Sequence, residues 1–260
     1  MSNIIITGDS WSCIPFSSYH FPFVIEELAD TNFFPESNNI WQQPGFDIKN
    51  TFNIFDWLDF QLMSRGHHVN NIGCWSESNV RQLVKTHGYL EGAERSGNNI
   101  DVVIWFHTEI IRDWVHPQTW GNAKKIGYDA HLSLTARSTY NYVSWLKERY
   151  PNTKWVIIGG HAPLHEKEKH LLDWAEYRLD NWRQQISGVE CPETHLLSFL
   201  KNDHREINNL LSLEQKEQEL SKIEIILEAC KDNKLFFDNV HPNIEPNKKL
   251  ALDIIQNLNL

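Results

Sequence analysis

A serine and a histidine stand near opposite ends of this 260-residue chain, each in a setting that gives it chemistry. Ser10 closes Gly8-Asp9-Ser10, directly after the apolar run Ile4-Ile5-Ile6. His241 follows Asp238 in Asp238-Asn239-Val240-His241-Pro242, just ahead of the last helix-like segment. A hydroxyl, an imidazole and a carboxylate are the parts of a nucleophile, its base and the group that orients the base. Their separation in sequence is no obstacle, because such a triad is assembled by folding. Pro242 discourages helix at His241, so Asp238 can turn back to Nδ1–H and leave Nε2 for the serine proton. A helix N-cap would also suit Ser10. That alternative leaves the Asp238–His241 pair unexplained.

The elements that must position these groups follow from hydrophobic periodicity. Strands are predicted at Asn3–Thr7, His68–Ile72, Asp101–Phe106, Trp155–Ile158 and Thr194–Phe199. Helices are predicted at Ile54–Ser64, Asn79–Tyr89, Leu132–Tyr150, Lys169–Gln185, Glu206–Lys231 and Asn247–Leu258. The stretch Phe33–Asn53, with its Pro and Asn residues, reads as a long loop. Strand and helix alternate, which predicts one α/β domain over residues 1–260: an open, parallel five-stranded sheet with helices on both faces. Such sheets place ligands at the carboxyl ends of their strands, where Ser10, Gly73 and His107-Thr108-Glu109 fall.

Composition narrows the chemistry further. A net charge of -10 argues against nonspecific nucleic-acid binding, and no segment approaches the ~20 apolar residues of a membrane span. The N-terminus lacks the basic and long apolar regions of a signal peptide, so a cytoplasmic protein is expected, or a virion-associated one if it is viral. Cys13, Cys74, Cys191 and Cys230 form no CxxC pair and are expected to be reduced thiols, with no metal bound through them. Eleven Trp and 13 Phe are a heavy aromatic load, for the core first and for a substrate groove second.

Gly8-Asp9-Ser10 after the first strand, Gly73 after the second, a polar cluster after the third and Asp238-x-x-His241-Pro242 near the C-terminus together resemble the SGNH, or GDSL, hydrolase family. The resemblance spans nearly the whole chain and implies a flavodoxin-like three-layer α/β/α fold. It also implies hydrolysis of esters or thioesters through an acyl-serine intermediate, without a metal or organic cofactor. Ser10, Asp238 and His241 would be catalytic, and the Ser10 and Gly73 N–H groups would belong to the oxyanion hole. Asp9, Trp11, His107, Thr108, Glu109 and His161 would line or border the cleft. His107-Thr108-Glu109 with Arg112-Asp113 also resembles a variant of the family associated with bacteriophage genomes.

The chain departs from the family at the third block, where Glu109 stands in the place of an asparagine that completes the oxyanion hole. An ionised glutamate only accepts hydrogen bonds and repels a developing oxyanion. Four arrangements remain open: Glu109 is protonated, or it faces away, or Asn79 supplies the missing donor, or activity is weakened or lost. Asn79 is the preferred donor, because it opens a helix beside the same sheet edge.

Three functions compete. The first is an ester hydrolase acting on a small-molecule or glycan ester, with an O-acetylated carbohydrate favoured. The second is a lipase or thioesterase, which needs a long apolar groove. The third is a binding or structural module of a viral particle that keeps the fold without full chemistry. The sequence leaves the oligomeric state open.

Overall fold

The structure, a computed structural model, describes residues 1–9, 11–12, 58–74, 77–114, 117–194, 209–232, 235–236, 242 and 244–260. The elements in chain order are β1 (Asn3–Thr7), α1 (Leu58–Met63), β2 (His68–Asn71), α2 (Asn79–Ser96), β3 (Val102–His107), α3 (Pro117–Ile126), α4 (Tyr128–Arg149), β4 (Lys154–Gly159), β5 (Tyr177–Leu179), α5 (Trp182–Ser187), α6 (Leu213–Ala229) and α7 (Ile244–Leu258). Short 3-10 turns occupy Ile110–Asp113 and Lys169–Leu172.

Five parallel strands form one sheet in the order β2-β1-β3-β4-β5. All six residues of β3 are buried, as expected of a central strand covered on both faces. Successive side chains point to opposite faces. Trp105 donates its indole N–H to Gln82 of α2 at 2.8 Å and packs edge-on against Tyr140 of α4. Its neighbour Phe106 meets Trp182 of α5 on the other side. Helices α2 and α4 thus cover one face, while α5 covers the other with α7, and α1 packs on α7. This is a three-layer α/β/α fold. The chain runs from β1 to β2 and then crosses back to β3, so the switch point lies between the ends of β1 and β3.

Four expectations are corrected. Helix α2 runs past Tyr89 to Ser96, because Gly88 and Gly92 are tolerated inside it and the left-handed cap is Gly97, at φ 72°. The single helix expected over Glu206–Lys231 is broken: Asn209 and Leu210 are helical, Leu211 and Ser212 are not, and α6 starts afresh at Leu213 from a capping box of Ser212 and Gln215, while residues 206–208 lie outside the described residues. The 10-residue helix α3 was not anticipated.

The largest change is at Lys169–Gln185. In place of one helix it holds the 3-10 turn, strand β5 and the short α5. Glu176 accepts the Trp155 N–H at 2.6 Å, and Tyr177–Leu179 then pairs with Val156–Ile158. Tertiary pairing overrides the local helical pattern here. The fifth strand is therefore Tyr177–Leu179; residues 195–199 of the expected Thr194–Phe199 strand lie outside the described residues, as does the Phe33–Asn53 loop.

Candidate active site

Gly8 leaves β1 at φ 156°, and a Cβ there would lie 2.6 Å from Phe106 Cβ and 2.8 Å from Ser12 Cβ. Only glycine permits this turn. The Gly8 carbonyl accepts the Cys74 N–H at 3.0 Å, which draws the end of β2 beside the turn.

Asp9 follows, fully buried. Its Oδ1 accepts the Trp11 N–H at 3.0 Å, and its Oδ2 accepts the Thr108 hydroxyl at 2.6 Å. Arg112 Nη1 stands 3.4 Å from the same Oδ2. The turn after β1 is thereby pinned to the end of β3. Ser10 itself lies outside the described residues.

At the end of β3, the Asn79 side chain clamps the Thr108 backbone, accepting its N–H at 2.9 Å and donating to its carbonyl at 3.0 Å. Glu109 is buried, with Oε2 at 3.0 Å from Arg112 Nε and 3.7 Å from His161 Nε2. Burial pulls the His161 imidazole below its ordinary value, more strongly than the facing Glu109 pushes it up, so His161 is neutral near pH 7. Burial also pulls on Arg112, but Asp9 and Glu109 outweigh it and hold the guanidinium above its usual value. Glu109 thus faces Arg112 and His161 inside a buried polar cluster.

The predicted oxyanion donors are close to the turn but engaged. The Gly73 N–H donates to Asn71 Oδ1 at 3.0 Å, and the same Asn71 donates to the Ser12 carbonyl at 2.9 Å. One Asn79 amide hydrogen is given to Thr108, and the Asn79 side chain also faces Asp113.

The other cleft candidates separate into two groups. Trp11 is buried and meets His161 edge-on at 6.0 Å, so both belong to the cluster with Asp9, Thr108 and Glu109. His107 does not. Its Nδ1 lies 3.3 Å from the Ala162 carbonyl and its Nε2 3.3 Å from the Tyr140 hydroxyl, which accepts the His165 N–H at 2.8 Å. A carbonyl only accepts, so Nδ1 carries the proton and Nε2 accepts from Tyr140. His107 is a core residue on the α4 face.

Asp238 and His241 lie outside the described residues. Their flanks are described. Phe236 and Pro242 form an antiparallel bridge, and the Pro242 carbonyl accepts from Asn247 of α7 at 3.2 Å. Leu235 lines a pocket with Trp182, Ile186, Pro246 and Leu250. Trp182 in turn packs edge-on against Trp11, with ring centroids 5.5 Å apart.

Two residues here escaped the sequence reading, Trp182 and Arg183. Their segment reads as part of a helix, and no local motif marks them. Arg183 is 2 % exposed, with its guanidinium carbon 5.0 Å from the centre of the Trp11 ring. Its Nε and Nη2 have no hydrogen-bond partner among the described residues. Burial pulls this guanidinium below its ordinary value, opposed by the Cys230 and Cys191 thiols and then by Glu109 and Asp9.

Among the described residues no group of three or more His, Cys, Asp or Glu side chains could hold a metal ion, and no helix is long and apolar enough to cross a membrane.

No family model matches the chain, and no curated protein does. Among solved structures, the chain is similar to TesA, with 10% identity, a TM-score of 0.35 and coverage of 88% of this chain and 98% of that one. It is also similar to a protein of Parabacteroides merdae described as a GDSL-like lipase, with 12% identity, a TM-score of 0.37 and coverage of 99% and 95%.

Proposed function

We propose that the chain is a serine hydrolase of carboxylic esters, with Ser10 as nucleophile, His241 as base and then acid, and Asp238 as the group that orients the imidazole. The observation that carries this reading is the position of Trp182. It packs against Trp11, the residue after Ser10, and lines one pocket with Leu235, three residues before Asp238. The flanks of the two terminal motifs thus converge on one indole. Trp11 directly follows the turn at the carboxyl end of β1, beside the switch point where open α/β sheets bind ligands.

In this reading Ser10 Oγ attacks the ester carbonyl as its proton passes to His241 Nε2. The alcohol leaves with that proton, and water repeats the sequence on the acyl-serine. The Ser10 and Gly73 N–H groups are the proposed backbone donors to the oxyanion. For Gly73 this requires exchanging Asn71 for the substrate oxygen. Asn79 as a side-chain donor requires its second amide hydrogen to leave Asp113 for the substrate while the first holds Thr108. Glu109, held by Arg112 and facing His161, is proposed to position the turn rather than to donate. Asp9, Thr108 and Arg112 hold the nucleophile's turn in place.

The acyl site is proposed to be small, which favours an O-acetylated carbohydrate over a long-chain lipid or thioester. Trp11, His161 and Thr108 are all buried and so present little open surface to a long acyl chain. Hydrolysis rates for p-nitrophenyl acetate, butyrate and laurate test both points. The reading expects activity highest on acetate and abolished in Ser10→Ala and His241→Ala. A preference for laurate would favour a lipase, and turnover equal in wild type and Ser10→Ala would refute the serine mechanism.

A further inference from the structure

Arg183 is the most unusual charged group in the described residues. Arginine is not deprotonated in proteins, so it is a cation wherever it is placed. Here it is almost fully buried, and its Nε and Nη2 lack any hydrogen-bond partner among the described residues. Other buried ionic side chains nearby are paired: Asp9 and Glu109 both face Arg112. An unpaired buried charge is expensive, and the face contact with Trp11 offsets only part of that cost. A fold that keeps such a group gains little stability from it.

The two unpartnered nitrogens are also the informative ones. Covalent geometry sets the Nε–H and one Nη2–H side by side in the guanidinium plane, the fork that receives two oxygens of a carboxylate or phosphate at once. Trp11 lies at 5.0 Å over the guanidinium and leaves this in-plane edge unoccupied by the stack. Stacking on one face and bidentate hydrogen bonding at the edge are compatible, and together they fix the orientation of the fork. The stacked Trp11 is the residue that follows the proposed nucleophile, Ser10, in sequence.

We propose that Arg183 is a specificity residue that receives an anionic oxygen pair, so that the preferred substrate is an ester carrying a carboxylate or phosphate group on its alcohol half. This rests on the hydrolase reading above for the word substrate; the anion site itself does not. The positive charge is also suited to the surroundings. With Arg112 already engaged by Asp9 and Glu109, Arg183 is the cation of this cluster without such a partner among the described residues.

The test compares wild type with Arg183→Met and Arg183→Gln, two uncharged residues of similar length. Substrates are phenyl acetate and 4-acetoxybenzoate, which share the acetyl group and differ by a carboxylate on the alcohol half. The proposal expects wild type to prefer 4-acetoxybenzoate, and both variants to lose about 10- to 100-fold of that preference in kcat/KM, mainly through KM. It further expects free benzoate or inorganic phosphate to raise the wild-type melting temperature and not that of the variants, the stronger of the two naming the anion. In the absence of anion, Arg183→Met should melt higher than wild type, because an unpaired buried charge has been removed. A purely structural Arg183 predicts the reverse, a lower melting temperature and no anion dependence, and that result overturns the proposal. Labelling of Ser10 by a fluorophosphonate separates the two claims. Labelling without any Arg183-dependent anion effect sinks the anion site alone. An Arg183-dependent anion shift without labelling sinks the hydrolase and leaves the anion site standing.

Discussion

The Thr108 hydroxyl donates to Asp9 Oδ2 at 2.6 Å, across a sequence separation of 99 residues. The bond spans the switch point between the ends of β1 and β3. It joins the residue before Ser10 to the residue before Glu109. Asp9 is buried and also faces Arg112, so the turn that presents Ser10 is held by a charged network rather than by packing alone.

Breaking that network should destabilise the protein in proportion to the charge left unpaired. Thr108→Val removes one charge-assisted hydrogen bond and should cost about 1.5–3 kcal/mol. Asp9→Ala removes a partner of a buried guanidinium and should cost more, about 3–5 kcal/mol. Urea denaturation midpoints check the order. A Thr108→Val midpoint equal to wild type would show that the bond contributes nothing.

The central framework was legible in the sequence because the strands announce themselves. Ile4-Ile5-Ile6, Val102–Phe106 and Trp155–Ile158 are continuous apolar runs that only a sheet covered on both faces can bury. The turn chemistry at Gly8-Asp9 was legible for a different reason: its glycine is required by both backbone and packing. The edge of the sheet was not legible. Tyr177–Leu179 is half-buried and carries Arg178, so its pattern does not separate it from a surface helix until it pairs with β4. His107 misled in the opposite direction. It follows an apolar strand toward the site, yet strand alternation turns it to the core, where Tyr140 and Ala162 satisfy it. Arg183 carries no motif at all, since its meaning lies in burial and missing partners, which no spacing encodes.

Asn79 separates structural from catalytic roles. It satisfies both the N–H and the C=O of the buried Thr108. Asn79→Ala leaves both unpaired and should cost about 2–4 kcal/mol. If Asn79 also donates to the oxyanion, kcat of the folded variant should fall about 100- to 1000-fold. A stability loss with unchanged kcat would leave it only the clamp.

Asp113 gives a pH signature. Burial pushes its carboxyl up to about 6, against the Val80 N–H that it accepts at 2.9 Å and the facing Ser78, Asn79 and Arg112. A raised carboxyl is protonated more readily in the folded state than in the unfolded one. Its contribution to stability is therefore full below pH 3.8, the unperturbed value, and is lost as pH rises through about 6. Asp113→Asn, which stays neutral and keeps the acceptor for Val80, should stabilise the protein at pH 8 by of order 2 kcal/mol and not at pH 4. Melting temperatures of both proteins across that range check the sign. A gain that is independent of pH would show that Asp113 is not titrating.

The activated serine is the claim on which the functional account depends, and covalent labelling measures it without knowledge of the substrate. Wild-type protein treated with a fluorophosphonate should gain one adduct, mapped by mass spectrometry to the peptide containing Ser10. Ser10→Ala should gain none, and His241→Ala and Asp238→Ala should label far more slowly, because the hydroxyl is a weak nucleophile without its base. An unlabelled wild type, or one labelled at the same rate after His241→Ala, would contradict the account.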